Sequence, residues 1–174
     1  MRAVVVYESI YGNTHLIADA VARGLGDETT VVPVADAVSQ LVASADLLVV
    51  GGPTHVHGMS RERTRTAGIE AAAKDDALVL DEDAEGPGLR DWFDAMDDHP
   101  GRAAAAFDTR MHGPVVLTGR ASKGIAHRLH RHGFALVDEP TSFLVTKDSH
   151  LDPDEAERAK RWGETLAAKV QLSV

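Results

Sequence analysis

Short apolar runs alternate along the chain with segments that repeat apolar residues at helical spacing. The first run, from Ala3 to Tyr7, is mostly β-branched, and the segment 15–25 places apolar residues three and four apart. The first pattern is typical of a buried strand and the second of an amphipathic helix. Repeated along the chain, they predict strands at 3–7, 29–34, 46–50, 103–107, 134–137 and 142–145, and helices at 15–25, 36–41, 61–74, 89–96, 122–132 and 152–170.

The order of these elements indicates the architecture. Strands that alternate with helices are typical of parallel sheets with right-handed crossovers. The runs are apolar throughout, as expected when helices cover both faces of the sheet. We therefore predict an α/β fold, a three-layer αβα sandwich. No repeat or linker interrupts the pattern, so we expect one domain over residues 1–174, with a polar surface excursion at about 74–88.

Composition limits the chemistry that the chain can perform. It has 174 residues and no cysteine, which excludes disulfides, thiolate catalysis and Cys-ligated metal clusters. Any redox activity must therefore belong to a bound organic cofactor. The formal net charge of −9 disfavours nucleic acid as a partner, since that affinity comes largely from Lys and Arg. An acidic surface favours solubility and could also steer a basic protein partner.

Location is expected from the apolar segments and the start of the sequence. No apolar run approaches the roughly 20 residues that cross a bilayer. Only Met1 and Arg2 precede the first predicted strand, which leaves no room for a signal peptide. We therefore expect a cytoplasmic protein without a membrane span.

Three loops that follow predicted strands carry more polar residues than a plain turn needs. They cover 8–14, 51–60 and 108–112, and ligands of open parallel sheets bind beyond such strand ends. The first loop has no Lys or Arg, so backbone N–H groups, Ser9, Asn13, Thr14 and the helix dipole would hold an anion there. Without a Walker-type Lys or a GxGxxG motif, that anion is a phosphomonoester. The alternative is that Asn13 or Thr14 simply caps the helix.

The loop sequences resemble those of flavodoxins. The segment SIYGNT (9–14) resembles the flavodoxin phosphate loop, Ser/Thr-x-Thr-Gly-Asn-Thr, with Tyr11 in place of a small hydroxyl residue. GGPTHVHG (51–58) resembles the second flavin loop, and AAFDTR (105–110) falls where the third one lies. The resemblance implies a doubly wound, five-stranded parallel sheet of order 2-1-3-4-5, with FMN bound where the winding reverses.

The resemblance also implies which residues bind FMN. The phosphate end would be held by the first loop, one side of the isoalloxazine by the second, and its other side and pyrimidine edge by the third. The implied residues are Ser9, Ile10, Tyr11, Gly12, Asn13 and Thr14; Pro53, Thr54, His55, Val56, His57 and Gly58; and Asp108, Thr109 and Arg110.

Two features of these loops carry further expectations. Flavodoxins usually stack the flavin between aromatic residues, whereas this chain offers His55, His57 and Arg110, which cover less apolar ring surface. Gly58 is expected to permit a peptide flip when the flavin is reduced, since glycine reaches a positive φ without a steric penalty.

The remaining histidines offer alternatives to a flavin site. His55 and His57 would be too few ligands for a zinc site, and no carboxylate stands near them in the sequence. His127, His130 and His132 alternate with arginines and are expected to form a solvated basic helix face. We therefore expect no metal site, and no catalytic side chain is predicted.

Three functions fit the sequence. The resemblance favours an FMN-binding protein that passes electrons between protein redox partners, an electron carrier more than a stand-alone oxidoreductase. The first alternative is an NAD(P)H-dependent quinone reductase or related oxidoreductase in which His55 or His57 serves a bound substrate. The second is a scaffold or regulatory domain that has lost the flavin. The electron carrier and the reductase differ in whether the purified protein oxidises NAD(P)H unaided. A domain that has lost the flavin would show no flavin absorption spectrum. The oligomeric state is left open.

Overall fold

Strands and helices alternate from the first residues to the last helix in a computed structural model, which describes residues 1–172. Ser173 and Val174, the end of the predicted domain, lie outside the described residues. The strands are β1 (Ala3–Tyr7), β2 (Thr29–Pro33), β3 (Leu47–His55), β4 (Gly58–Met59), β5 (Ala103–Met111), β6 (Ala135–Leu136) and β7 (Thr141–Val145). The helices are α1 (Asn13–Leu25), α2 (Ser39–Ser44), α3 (Glu62–Ala72), α4 (Leu89–Asp94), α5 (Val115–Thr118), α6 (Ala121–Arg131) and α7 (Glu155–Leu172), with a 3₁₀ turn at Val34–Asp36.

The sheet has the predicted order. Its parallel strands run β2-β1-β3-β5, and β6 and β7 both pair with the outer side of β5. Counting β6 and β7 as one interrupted fifth strand gives the order 2-1-3-4-5, so this prediction is confirmed. Because β1 pairs with both β2 and β3, the winding reverses between β1 and β3. The short β4 pairs antiparallel with the end of β3.

The fifth strand is interrupted by a change of register. Ala103 pairs with Ala135, whereas Phe107 pairs with Thr141, so two extra residues stand between the paired segments. Pro140 lies in this interruption and has no N–H to give to a ladder. The interruption lets β7 continue beside the carboxyl end of β5.

Helices cover both faces of the sheet, as predicted. Val5 and Val49 belong to a buried cluster with α1 and α7, whereas Val4 and Val50 belong to one with α2, α4 and α6. Helices α1 and α7 approach backbone to backbone: a Cβ built on Gly24 would lie 2.0 Å from the carbonyl oxygen of Lys160. Within the described residues, no helix has both the length and the apolarity to cross a membrane.

Two strands of the structure extend beyond the apolar runs that predicted them. β3 extends to His55 and β5 to Met111, and Gly51 to Pro53 pair with Phe107 to Thr109. Residues 51–55 of the predicted loop 51–60 and residues 108–111 of the predicted loop 108–112 therefore belong to strands. A Cβ on Gly51 would lie 1.9 Å from the Phe107 ring. This glycine makes room for an aromatic side chain in the core and does not line a phosphate.

The predicted helix at 36–41 is wrong in its bounds. The chain forms the 3₁₀ turn, leaves it in an extended conformation at Val38, and begins α2 only at Ser39. The indole Nε1 of Trp92 donates to the carbonyl oxygen of Ala37 at 2.8 Å. This tertiary hydrogen bond takes a carbonyl that a continuous helix would have used.

The polar segment 74–88 reaches the first loop. It contains no helix or strand before α4. The backbone N–H of Asp81 donates to the carbonyl oxygen of Ile10 at 2.8 Å, and the Tyr7 hydroxyl donates to Asp83 at 2.9 Å. Ala84 is buried. The segment is therefore packed across the end of β1 and is more than a surface excursion.

Candidate functional site

A cavity of about 300 Å³ opens at the carboxyl ends of β1, β3 and β5. This volume is at the lower end of the range for small-molecule sites, about 300–1,000 Å³. Eleven of the fifteen predicted site residues line it, and Gly12, His57, Gly58 and Asp108 do not. The lining residues are Ser9, Ile10, Tyr11, Asn13, Thr14, Pro53, Thr54, His55, Val56, Thr109, Arg110, Met111, Val145 and Ser149.

The first loop presents an uncapped helix end to this cavity. Gly12 precedes α1 with φ +81°, and its N–H donates to the Ser9 hydroxyl at 3.1 Å. No side chain of the described residues caps the helix, and its first turn carries no acidic residue. The alternative that Asn13 or Thr14 is a cap is therefore wrong, since both lie inside the helix. The N–H groups of the first turn and the positive dipole end remain for a ligand.

The side chains of Asn13 and Thr14 join this loop to two other segments. The Asn13 amide Nδ2 donates to the carbonyl oxygen of Ser149 at 2.7 Å. The Thr14 hydroxyl lies 2.8 Å from that of Thr109, and both residues are buried. Ser149 has φ +58° in a tight turn in which Thr146 N–H donates to the carbonyl oxygen of His150. These contacts hold together three walls of the cavity.

Behind the first loop lies a cluster of four polar side chains. The Tyr7 and His15 rings are stacked with centroids 4.3 Å apart, and Nδ1 of His15 lies 3.2 Å from the Asp81 carboxylate. Burial, and then the hydrogen bond to Asp83, raises the pKa of Tyr7 far above its usual range. Tyr7 is therefore a neutral donor, and the cluster fixes segment 81–83 against α1.

The second loop is a tight turn with unusual backbone. Thr54 and His55 pair with Met59 and Gly58, so Val56 and His57 form the two-residue turn, with φ +45° and +72°. Such hairpin turns require φ above zero at both central residues and are normally Asn-Gly. A β-branched residue there is a clear outlier. The expected positive φ thus falls on Val56 and His57, whereas Gly58 lies in β4, paired with His55.

The two histidines of this loop have different surroundings. His55 lines the cavity, and burial lowers its pKa, so its ring is neutral at pH 7. His57 is exposed and forms a backbone bridge with Gly119. Only His55 is placed to meet a ligand in the cavity.

The third loop brings one cation to the cavity. Nη1 of Arg110 donates to the carbonyl oxygens of Met111 and Gly113 and to the Thr118 hydroxyl, at 3.1–3.3 Å. Its Nε is buried and has no hydrogen-bond partner among the described residues. A buried N–H donor without a partner is costly, so a ligand acceptor in the cavity would stabilise it.

Asp108 faces away from the cavity lining. Its carboxylate accepts the Ser122 backbone N–H at 2.7 Å, at the start of α6. Desolvation raises its pKa, and the Ser122 hydrogen bond only partly offsets that effect. The side chain positions α6 beneath the third loop.

The sequence did not single out Met111, Val145 or Ser149 for the cavity. Met111 and Val145 pair with each other at the ends of β5 and β7, so the full strand lengths would have indicated them. Ser149 carries no sequence signal, because only the folded chain brings it to Asn13. Across residues 1–172, no three His, Asp or Glu side chains converge in a way that could hold a metal ion.

Comparisons with known proteins identify the fold. No protein-family model and no curated protein matches the chain. The structure of a flavodoxin from the domain Archaea matches with a TM-score of 0.66 at 21% identity, over 98% of this chain and 99% of that one. Oxidised Flavodoxin 1 from Bacillus cereus matches with a TM-score of 0.66 at 20% identity, over 100% and 99%.

A third solved structure is similar over the same length. It is a flavodoxin, WrbA-like protein from Agrobacterium tumefaciens, with a TM-score of 0.59 at 20% identity over 98% of each chain. The chain therefore has a flavodoxin-like fold. Identities near 20% show the fold alone, so activity must be argued from the cavity.

Proposed function

We propose that this protein binds FMN in the cavity and carries electrons between protein redox partners. The observation that carries the proposal is the juxtaposition, in one cavity, of the uncapped α1 N-terminus and the buried, unpartnered Nε of Arg110. The first fits an anion and the second fits a hydrogen-bond acceptor. FMN carries both groups, a phosphate at one end and ring carbonyls at the other.

The phosphate end would be held by neutral donors. Ser9, Tyr11, Asn13 and Thr14 line the cavity at the start of α1, and Arg110 is the one Lys or Arg among the cavity-lining residues. Because Arg110 stands on β5 and bonds to the segment after it, we assign it to the ring end. The N–H groups of the first turn of α1 and the helix dipole would then supply the attraction for the phosphate.

The ring end would be enclosed by small apolar and polar side chains. Pro53, His55 and Val56 stand on one side, and Thr109, Arg110 and Met111 on the other. His55 is neutral at pH 7 because burial lowers its pKa, so it would place no charge beside the ring. These residues bind the ring, orient it and exclude water from it.

When bound, FMN supplies one- and two-electron transfer, for which no cysteine or metal of the chain is needed. The protein contributes the position and the electrostatic surroundings of the ring. The turn at Val56 and His57, with a positive φ at both residues, borders the cavity through Val56.

A quinone reductase of the same fold is the second candidate. The observation that favours it is the neutral imidazole of His55 in the cavity lining, which can donate or accept a proton next to a small bound substrate. A scaffold without flavin is the third, but it gives no reason for an uncapped helix end beside an unpartnered Arg110 Nε.

One preparation tests all three functions. The purified protein is incubated with FMN, freed of excess ligand and examined by absorption spectroscopy. We expect about one FMN per chain, reduction by light with a sacrificial donor, and electron transfer to an added acceptor protein. We expect no steady oxidation of NADH or NADPH with a quinone present. Absence of bound flavin at micromolar concentrations would overturn the proposal, and rapid unaided NAD(P)H oxidation would favour the reductase.

A further inference from the structure

Exposed apolar side chains surround the cavity mouth on one side. They are Val56, Met111, Val115, Val116 and Leu117, which we call the apolar rim. Val56 and Met111 line the cavity, and Val116 and Val56 are 88% and 80% exposed. The backbone bridge between His57 and Gly119 joins the two segments that carry them. A folded surface rarely clusters large apolar side chains in this way without a partner.

Arg110 fixes the shape of this rim. Its guanidinium bonds to Met111, Gly113 and Thr118, which bracket the four-residue helix α5. α5 itself contributes no buried residue to the core. Packing therefore does not explain why three consecutive apolar residues, 115–117, stand there.

Helix α6, the next helix along the chain after α5, has a basic exposed face. Lys123, His127, His130 and Arg131 are exposed on α6, at a spacing that places them on one side of the helix. Residues 101–137 carry six Lys and Arg and a single carboxylate, Asp108, which is buried. We call the four exposed residues the basic ridge.

The acidic residues are concentrated in a different segment of the chain, which precedes β5. Residues 74–98 carry ten Asp and Glu against two basic residues. The part of this segment around Asp83 packs behind the first loop, and Asp94 and Asp98 pair with Arg128 and His132, which lie outside the basic ridge. The net charge of −9 therefore does not describe the surface beside the third loop. A partner that approaches there meets apolar side chains flanked by the charged groups of Lys123 and Arg131.

We propose that the apolar rim and the basic ridge together form the docking surface for an acidic protein partner, one whose own contact patch is apolar and flanked by carboxylates. Charge complementarity selects this partner: the ridge would attract carboxylates, and the rim would lose its exposed apolar area on contact. The inference rests on the proposed function, since the rim borders the cavity in which FMN would bind. It reverses the expectation from net charge, which pointed to a basic partner.

The test uses two small acceptor proteins of opposite charge as probes, an acidic rubredoxin and the basic cytochrome c. FMN-loaded protein is reduced by light and mixed with each acceptor at 20, 100 and 400 mM NaCl. We expect the second-order rate with rubredoxin to fall as salt rises, because salt screens an attraction. We expect no such fall with cytochrome c. A rate with cytochrome c that is highest at low salt, with the opposite trend for rubredoxin, would overturn the proposal.

Three variants locate the surface. Lys123→Glu should lower the low-salt rate with rubredoxin by roughly threefold to tenfold, the range of a lost steering charge. Arg23→Glu makes the same change in net charge on the opposite face of the sheet and should leave that rate nearly unchanged. Val116→Asp should slow the reaction at both low and high salt. Equal effects of Lys123→Glu and Arg23→Glu would show that only net charge matters and would overturn the docking surface.

A readout without flavin separates this inference from the proposed function. Rubredoxin is titrated into ¹⁵N-labelled flavin-free protein, and backbone amide shifts are followed. We expect perturbations within residues 111–131, whether or not FMN binds. Perturbations confined to 74–98, or no perturbation at millimolar rubredoxin, would overturn the proposed docking surface. Dimerisation of the protein that Val116→Asp abolishes would show that a second copy, and not an acidic partner, covers the rim.

Discussion

The Thr14 hydroxyl lies 2.8 Å from the Thr109 hydroxyl and joins the start of α1 to the carboxyl-terminal part of β5. Thr14→Val keeps the side-chain volume and leaves the Thr109 hydroxyl buried without this partner. We expect the free energy of unfolding to fall by about 1–3 kcal/mol, the cost of a buried unsatisfied polar group. Urea unfolding of Thr14→Val, of Thr109→Val and of the double variant measures it.

The double variant is the control for this pair. Because both hydroxyls are then removed, no partner is left unsatisfied, and the double variant should lose less than the sum of the single variants. Strictly additive losses would show that the two hydroxyls do not interact.

The left-handed backbone of Gly12 is the second feature open to test. Gly12→Ala places a Cβ on a residue with φ +81°, which should cost about 1–2 kcal/mol of stability. Gly26→Ala is a matched control, since Gly26 also has a positive φ, +105°, with open space around its Cβ. Both variants should unfold at lower urea concentration, but only Gly12→Ala should weaken FMN binding in a fluorescence titration. An equal loss of FMN affinity in both variants would contradict the assignment of the first loop to FMN binding.

The turn at Val56 and His57 should be strained. Replacing it by the residues that such turns prefer, Val56→Asn with His57→Gly, should raise the free energy of unfolding by about 1–3 kcal/mol. Thermal and urea unfolding measure the gain, and the m-value should not change. No gain in stability would mean that the positive φ values carry no strain here.

Asp108 should make stability depend on pH with a defined sign. Its pKa is raised in the folded protein by desolvation, so the folded state holds the proton more tightly than the unfolded one. The contribution of Asp108 to stability is therefore greatest in acid and is lost as pH rises from its unfolded pKa through its raised folded pKa. Asp108→Asn cannot ionise and still offers an oxygen to the Ser122 N–H.

The measurement for Asp108 is urea unfolding of both proteins between pH 4 and pH 8. The stability of Asp108→Asn relative to the wild type should increase as pH rises and then level off. A relative stability that decreases over this range would mean that the folded state favours the ionised carboxylate.

The fold was predictable because its signals are local and repeated. The apolar runs 3–7 and 46–50 became β1 and the first part of β3, and the resemblance of the loops indicated the strand order. The predictions that were wrong concern contacts between residues that are far apart in the sequence. Trp92 bonds to Ala37 and interrupts the predicted helix there, 55 residues away in sequence. No pattern within 36–41 contains that information.

The site was predicted less completely than the fold, for the same reason. The topology brings the ends of β1, β3 and β5 together, so most predicted residues surround one cavity. Asn13 reaches Ser149 across 136 residues, and the sequence gives no sign of it. Asp108 was predicted to lie in a loop, but β5 continues through it to Met111, and its side chain bonds to α6. Because successive side chains of a strand point to opposite faces, its direction could be predicted only once the strand was known to continue.

The central claim is that the uncapped N-terminus of α1 holds the phosphate of FMN without a Lys or Arg. The most direct test compares the dissociation constants of FMN and riboflavin, which differ only in that phosphate, by fluorescence titration of the flavin-free protein. We predict that FMN binds at least tenfold more tightly, since hydrogen bonds to a charged group contribute about 1.5–3 kcal/mol each. Equal dissociation constants for the two flavins would contradict the account.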